Sequence, residues 1–180
     1  HVTPLINHGH LHFGENKVQE ALEKWSIIKN DYKQINLHMI GKLQTNKVKH
    51  AIELFDYIHS LDSRKLAEKI SNEQQKKGKK LKIFIQVNIG DERQKNGIPS
   101  KDIFKFHDVC VNELNLNIVG LMCIPPKSTN PNFFFEEMKK IKDSIDLQEL
   151  SMGMSDDYLK AIECGSTFLR IGSKIFGERD

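Results

Sequence analysis

Glycine and serine residues cluster in two short turns near the carboxyl end of the chain. The first turn is Gly153-Met154-Ser155 and the second is Gly172-Ser173, and each follows an apolar run typical of a buried strand. Hydroxyls and free backbone N–H groups donate hydrogen bonds, and glycine lets the backbone approach a ligand closely, as phosphate binding requires. With Ser151 as a further hydroxyl, the turns predict a grip for a phosphorylated small molecule. Ordinary turn chemistry is the alternative.

Two polar residues accompany these turns. Arg170 lies within an apolar run at residues 168–171, and a buried guanidinium needs a partner because an unpaired buried charge is strongly destabilising. That partner is either a carboxylate in a structural ion pair or a ligand held by the turns. Asn16 ends the first apolar run and is expected to face the same edge. Capping the helix that begins near Lys17 is a strong competing role for Asn16.

Seven apolar runs alternate with amphipathic segments and must position these residues. We predict strands over residues 11–16, 36–40, 57–60, 81–88, 117–122, 150–152 and 168–171. Helical spacing, as in Val18, Ala21, Leu22 and Trp25, recurs between them. Strict alternation without a linker indicates an α/β fold with a parallel sheet in one domain over residues 1–180.

The simplest fold for this pattern is a (β/α)8 TIM-like barrel whose first strand is absent from this chain. Residues 1–9 are expected to form the end of a helix that stops at Gly9. Sites in such barrels lie at the carboxyl ends of the strands, and phosphate is often held after strands 7 and 8. A doubly wound open sheet is the alternative, which the lack of an early glycine-rich nucleotide turn disfavours.

Composition and charge argue against several classes of protein. The chain has 180 residues, 38% of them hydrophobic, and its net charge of +3 is not concentrated in a basic stretch with aromatic residues, so we expect no nucleic-acid partner. The longest apolar run, residues 118–126, is too short to span a bilayer. Cys110, Cys123 and Cys164 are widely spaced and indicate buried thiols. We therefore expect a cytoplasmic protein.

The spacing of three histidines near the amino terminus resembles that of metal ligands, but we predict no metal site there. His8, His10 and His12 are spaced by two, which on a strand would place them on one face. No carboxylate or second histidine pair accompanies them at ligand spacing.

Seven longer motifs, spread over nearly the whole chain, resemble those of one family, the pyridoxal phosphate (PLP) homeostasis proteins. They are FGENKVQE at residues 13–20, HMIGKLQTNK at 38–47, HSLDS at 59–63, QVNI at 86–89, GLM at 120–122, LSMGMSDD at 150–157 and RIGSKIFG at 170–177.

The resemblance implies a barrel of the alanine racemase N-terminal type with PLP bound at its mouth. It implies that Arg170 approaches the pyridine nitrogen and that Asn16 lies near the ring. Arginine cannot give up its proton, so the ring would be a weak electron sink, which suits a carrier or a racemase better than a transaminase. The residues implied to hold the phosphate are Ser151, Met154, Ser155, Gly172 and Ser173.

The family's Schiff-base lysine lies in a Ser-Lys dipeptide at the end of its first strand. The matching position would precede His1, so no catalytic residue is assigned in this chain. A minor alternative is that Lys42 replaces this lysine and forms the Schiff base with PLP. His38 and Lys95 fall within family motifs, but we assign no role to them.

The implied function is a PLP carrier and buffer without established catalysis, acting as a monomer or weak dimer. Its expected partners are PLP and the apo forms of PLP-dependent enzymes. The main alternative is a PLP-dependent amino-acid racemase-like enzyme, which needs a general base on the opposite ring face. A phosphosugar-binding barrel enzyme is a third reading, for which Glu15 is the only suggestive carboxylate.

Overall fold

One parallel sheet organises the molecule. The computed structural model describes residues 2–127 and 130–177. Seven strands pair in the order β1–β2–β3–β4–β6–β7–β8, and a two-residue strand, β5, adds to β4. The strands are β1 (His12–Glu15), β2 (Asn36–Met39), β3 (Tyr57–Leu61), β4 (Lys82–Asn88), β5 (Ile98–Pro99), β6 (Asn117–Cys123), β7 (Glu149–Met154) and β8 (Phe168–Arg170).

Helices connect the strands, and local signals set their ends. Ser63 caps α4 by accepting a hydrogen bond from the Leu66 N–H at 3.3 Å, and Gly78 ends that helix with φ 61°. The helices are α1 (Thr3–Asn7), α2 (Val18–Asp31), α3 (Val48–Leu54), α4 (Arg64–Lys77), α5 (Ile103–Asp108), α6 (Pro131–Ser144), α7 (Tyr158–Glu163) and α8 (Ser173–Phe176).

The two faces of the sheet carry different side chains. Its outer face packs against the helices in the main apolar core, which includes Trp25, Ile52 and Phe135. Its inner face holds a small cluster of Tyr57, Phe84 and Met122, against which Phe168 packs. The sheet therefore encloses an interior of its own, as a barrel does.

The sheet curls until its first and last strands come close together. The rings of His12 on β1 and Phe168 on β8 lie 6.1 Å apart, centroid to centroid. In the described part of the chain β1 and β8 do not pair, so the barrel is nearly closed. The TIM-like prediction is confirmed, and the open doubly wound sheet is wrong.

Three local features have no counterpart in the sequence-based prediction. β5 is one of them, because a two-residue strand has no periodicity to detect. A five-residue π-helical segment, Val109–Glu113, extends α5. One helical turn, α8, follows Gly172, whose carbonyl accepts hydrogen bonds from the N–H groups of Ile175 and Phe176 at 2.9 Å.

The amino-terminal histidines do not share a strand face. Only His12 belongs to β1; His8 follows α1, and its Nδ1 lies 2.9 Å from the Pro4 carbonyl. Within residues 2–127 and 130–177, no cluster of His, Cys, Asp and Glu side chains could hold a metal ion. The described helices include none that is long and apolar enough to cross a membrane.

Candidate functional site at the carboxyl ends of the strands

Gly153 shapes the end of β7 and the turn that follows it. Its φ of 92° is disfavoured for other residues, and an added Cβ would lie 2.6 Å from the Ala161 Cβ. The Met154 N–H donates to the Asp157 carboxylate at 2.7 Å, which ties the turn to the start of α7. Gly153 is therefore required by packing, and Met154 remains exposed at the surface of the turn.

Two hydroxyls meet where the turns after β7 and β8 come together. The Ser173 hydroxyl donates to Ser155 Oγ at 3.0 Å. Ser155 is buried, whereas Ser173 and Gly172 are exposed. No neighbouring atom of the described residues lies within 4 Å of the place where a Cβ on Gly172 would stand. The hydroxyl pair thus borders open space, as an anion-binding turn needs.

Arg170 ends β8 beside these turns, in register with Met154. Its Nη1–H donates to Ser151 Oγ at 2.7 Å and its Nη2–H donates to the Cys123 carbonyl at 2.9 Å. Among the described residues no carboxylate forms an ion pair with Arg170, so within them the ion-pair alternative is not realised. Burial lowers the pKa of the guanidinium. Neutral acceptors hold this cation, and other N–H groups remain to meet a ligand.

The structure separates Ser151 from the turn hydroxyls with which we grouped it. Its side chain is fully buried, and its Oγ lies 2.8 Å from His59 Nδ1 as well as next to Arg170. Ser151 points into the barrel because it lies within β7 rather than in the turn that follows. Its position makes it a neighbour of Arg170, and contact with a phosphate stays a prediction.

Three histidines extend this contact across the barrel interior. His59 Nε2 lies 2.9 Å from His38 Nδ1, and His38 Nε2 lies 2.9 Å from His12 Nδ1. We call His12, His38 and His59 the histidine relay. Sequence reasoning missed it. The available signal was one histidine in each of three consecutive predicted strands, because such residues can all point into the interior of a barrel.

Burial keeps the inner histidines neutral. It is the main cause that lowers the pKa of His38 to about 3, with the His12 and Lys82 charges adding to the effect and the Asp56 carboxylate opposing it. Burial also holds the pKa of His59 well below its ordinary value. Tyr57 stacks on His38 at 4.1 Å between ring centroids, and Phe84 stacks on His59 at 4.2 Å. Both imidazoles are therefore fixed in plane and uncharged.

Asn16 follows β1 at the same edge of the sheet. Lys17 occupies the N-cap position of α2, and no side chain among the described residues caps that helix, so the capping role considered for Asn16 is wrong. The backbone of Asn16 packs closely on Gly41, where an added Cβ would lie 2.2 Å from the Asn16 carbonyl oxygen. The side chain of Asn16 is left exposed at the barrel mouth.

A polar cleft of about 480 Å³ opens among the loops that follow β2, β3 and β4. Lys42 and Lys95 both line it. The Lys42 ammonium donates to Asn96 Oδ1 at 3.1 Å, and Lys95 pairs with Glu92 at 2.7 Å. Both lysines thus lie at the carboxyl edge of the sheet, each already engaged by a polar neighbour.

Comparison with known proteins agrees with this geometry. The chain matches the model for the alanine racemase N-terminal domain over residues 1–180. A human protein named pyridoxal phosphate homeostasis protein is 42% identical over 199 residues, covering 99% of this chain and 72% of its own. The protein of that name from Aquifex aeolicus (strain VF5) is 37% identical over 187 residues, covering 99% and 81%.

Solved structures agree as well. PipY of Synechococcus elongatus PCC7942, solved without PLP, superposes with a TM-score of 0.92 at 33% identity, covering 98% of this chain and 86% of PipY. The PipY structure with PLP bound gives a TM-score of 0.87 at 32% identity, over 98% and 86%. An alanine racemase of Clostridium difficile 630, at 12% identity and a TM-score of 0.77 over 99% of this chain and 48% of its own, shares the fold alone. On these matches, the chain belongs to the pyridoxal phosphate homeostasis protein family.

Proposed function

We propose that the chain binds PLP at the barrel mouth and acts in PLP homeostasis as a carrier and buffer. The observation that carries this proposal is the meeting of the Ser155 and Ser173 hydroxyls beside Arg170, at the ends of β7 and β8. The name shared by the curated relatives and the PLP-bound structure of PipY support it.

The residues present fit the parts of PLP. The phosphate would be held by the Ser155 and Ser173 hydroxyls and by the turns at Met154 and Gly172, where open space borders the hydroxyl pair. The ring nitrogen would face the donors of Arg170, with Asn16 near the ring. When bound, PLP supplies a reactive aldehyde on a pyridine ring.

Arg170 limits what the bound ring can do. A guanidinium stays protonated in proteins, so Arg170 would donate a hydrogen bond to the ring nitrogen without transferring a proton. The ring would then withdraw electrons weakly. This favours storage and delivery over reactions that need a strong electron sink.

Phosphate recognition is tested by comparing ligands that differ only in that group. We expect the protein to bind PLP more tightly than pyridoxal, measured by absorbance titration and equilibrium dialysis. A Ser155→Ala/Ser173→Ala double variant should lose about 10²- to 10⁴-fold in PLP affinity, since hydrogen bonds to charged groups contribute roughly 1.5–3 kcal/mol each. Its affinity for pyridoxal should not change.

Ser144→Ala on α6 is the matched control, because the Ser144 hydroxyl donates to the Ile141 carbonyl at the end of its own helix, away from the candidate site. This control should bind PLP as the wild type does. Equal wild-type affinities for PLP and pyridoxal, or a double variant that binds PLP normally, would contradict the proposed site.

A non-catalytic role in the cytoplasm, as a monomer or weak dimer, is part of the same proposal. The free thiols of Cys110 and Cys123, whose pKa values burial raises to about 12, support a reducing compartment. We expect PLP-loaded protein to activate an apo PLP-dependent enzyme and to exchange no amino-acid α-protons in deuterated water. Measured α-proton exchange would favour the racemase-like alternative, and light scattering would give the oligomeric state.

A further inference from the structure

The histidine relay and Ser151 form a continuous chain of hydrogen bonds that ends on Arg170. From one end, His12 on β1 meets His38 on β2, His38 meets His59 on β3, and His59 meets Ser151 on β7, at 2.9, 2.9 and 2.8 Å. Ser151 Oγ then accepts from Arg170 Nη1 at 2.7 Å. Four strands thus supply the side chains of this hydrogen-bond chain, which ends on the Arg170 guanidinium.

Each of the two inner histidines must donate one hydrogen bond and accept another, so the donor-to-acceptor direction is the same along the whole chain of hydrogen bonds. His38 and His59 are each hydrogen-bonded at both ring nitrogens, and a neutral imidazole carries one N–H. Each ring must therefore donate on one side and accept on the other. Stacking on Tyr57 and Phe84 holds the ring planes, so the direction chosen at one end of the chain is imposed at the other.

Arg170 selects that direction. A guanidinium can only donate, so Ser151 Oγ is its acceptor. If His59 Nδ1–H also donated to Ser151 Oγ, the hydroxyl hydrogen would have no acceptor among the described residues, inside a fully buried site. A buried donor without a partner is costly. The hydroxyl hydrogen therefore points to His59 Nδ1, and every later hydrogen points away from the cation.

We propose that His59 and His38 are positioning residues for Arg170, each carrying its proton on Nε2. In this state Ser151 donates to His59, His59 Nε2–H donates to His38 Nδ1, and His38 Nε2–H donates to His12 Nδ1. The fixed hydroxyl of Ser151 then holds Arg170 in one orientation. The part of this inference that concerns a bound pyridine nitrogen rests on the proposed function.

The tautomers can be measured in the ligand-free wild type. Long-range ¹H–¹⁵N correlation spectra of the imidazoles at pH 7, assigned with single histidine variants, should give Nε2–H for His38 and His59. His50 on α3, whose Nδ1 lies 3.8 Å from the Glu53 carboxylate, is the internal reference for a solvent-exposed ring. A proton on Nδ1 of either inner ring, or on both nitrogens, overturns the proposal without any variant being needed.

Coupling along the chain is tested at a distance. Ser151→Ala removes the hydroxyl but does not touch His38, so loss of the single His38 tautomer in this variant would demonstrate the relay. Ser166→Ala is the matched control, because the Ser166 hydroxyl, in the turn before β8, donates to the Met152 carbonyl of β7 at 2.7 Å and does not join the hydrogen-bond chain. An unchanged His38 tautomer in Ser151→Ala overturns the proposal.

The effect on Arg170 is measured with PLP and with 1-deazapyridoxal 5′-phosphate, which has C–H in place of the ring nitrogen. We expect wild type to prefer PLP by about tenfold, as one good hydrogen bond allows. His59→Phe keeps the stack on Phe84 but removes the acceptor of Ser151, so the preference should fall severalfold.

His59→Asn restores an acceptor near Ser151 but cannot reach His38. It should recover the preference for PLP while the His38 tautomer stays mixed. A His59→Phe variant that keeps the full preference overturns the positioning role. If the wild type binds neither ligand, the proposed function is contradicted but the histidine relay is not. The tautomer spectra then still test the relay, because they are recorded without ligand.

Discussion

Gly153 and Gly172 flank the same candidate site, but their surroundings differ. Gly153 has φ 92° and a neighbour, the Ala161 Cβ, only 2.6 Å from an added Cβ. Gly172 has φ −120°, and an added Cβ would meet no neighbouring atom within 4 Å in the part of the chain that the structure describes. From the sequence alone, both are interpreted as turn glycines that let the backbone approach a ligand closely. The surroundings indicate that folding requires Gly153, whereas only a ligand would require Gly172.

Alanine substitutions separate these two requirements. We expect Gly153→Ala to lower the free energy of unfolding by roughly 2–4 kcal/mol, from the left-handed backbone and from overpacking against Ala161. Gly172→Ala should change it by less than about 1 kcal/mol yet weaken PLP binding, because a methyl group would enter the proposed phosphate position. Urea denaturation and PLP titration of both variants check this, and equal stabilities would contradict the packing argument.

At the scale of elements, β1 and α2 are joined by a buried polar contact. The Glu15 carboxylate at the end of β1 accepts from the Trp25 indole N–H at 2.6 Å and pairs with Lys24 at 2.5 Å. Trp25 is fully buried, and its ring lies 5.0 Å from that of Phe13. Glu15, the one carboxylate that suggested a phosphosugar enzyme, therefore anchors α2 to the sheet.

Removing that carboxylate should strongly destabilise the fold. Glu15→Ala leaves the indole N–H without an acceptor and opens a cavity, at a cost of roughly 2–4 kcal/mol. Glu15→Gln keeps an acceptor and should cost about 1 kcal/mol. Glu68→Ala, which removes an exposed ion pair with Arg64, is the control and should cost less than about 0.5 kcal/mol. Similar losses for Glu15→Ala and Glu68→Ala in urea denaturation would refute this assignment.

At the scale of the whole molecule, the barrel interior holds buried polar side chains beside its small apolar cluster. The histidine relay crosses it, bordered by Tyr57, Phe84 and Phe168. The rings of this interior come from β1, β2, β3, β4 and β8. Protonation of the inner histidines would therefore affect the closure of the entire sheet and not one strand.

Stability should fall as the pH drops below 6.5. The pKa of His38 is lowered to about 3 in the folded state, so between pH 6.5 and 3 the unfolded chain binds more protons and is favoured. His38 alone should lose about 2 kcal/mol of stability by pH 5, above the range in which carboxylates titrate. The measurement is the urea midpoint from pH 8 to pH 4.5.

His38→Phe is the matched variant for that titration. It is expected to be less stable than wild type at pH 7, because His59 loses its partner, but its stability should depend less on pH between 6.5 and 4.5. A wild-type midpoint that stays constant down to pH 5 would contradict the neutral, buried state of His38.

The sequence by itself determined the order of the seven strands, the parallel sheet and the turns at Gly153–Ser155 and Gly172–Ser173. Strand periodicity and turn residues are local signals, and local interactions decide them. The family motifs also lie in contiguous segments, so they can be recognised without coordinates. Asn16 at the barrel mouth follows from the same alternation of strands and helices.

Only the tertiary structure decided what the interior residues contact. His59 and Ser151 are 92 residues apart, and their hydrogen bond exists because the sheet curls until β3 and β7 face each other across the barrel. The same closure gives Arg170 neutral acceptors instead of a carboxylate and turns Ser151 inward. Which side chains meet inside a barrel depends on register and curvature, and neither is written in the local pattern of residues.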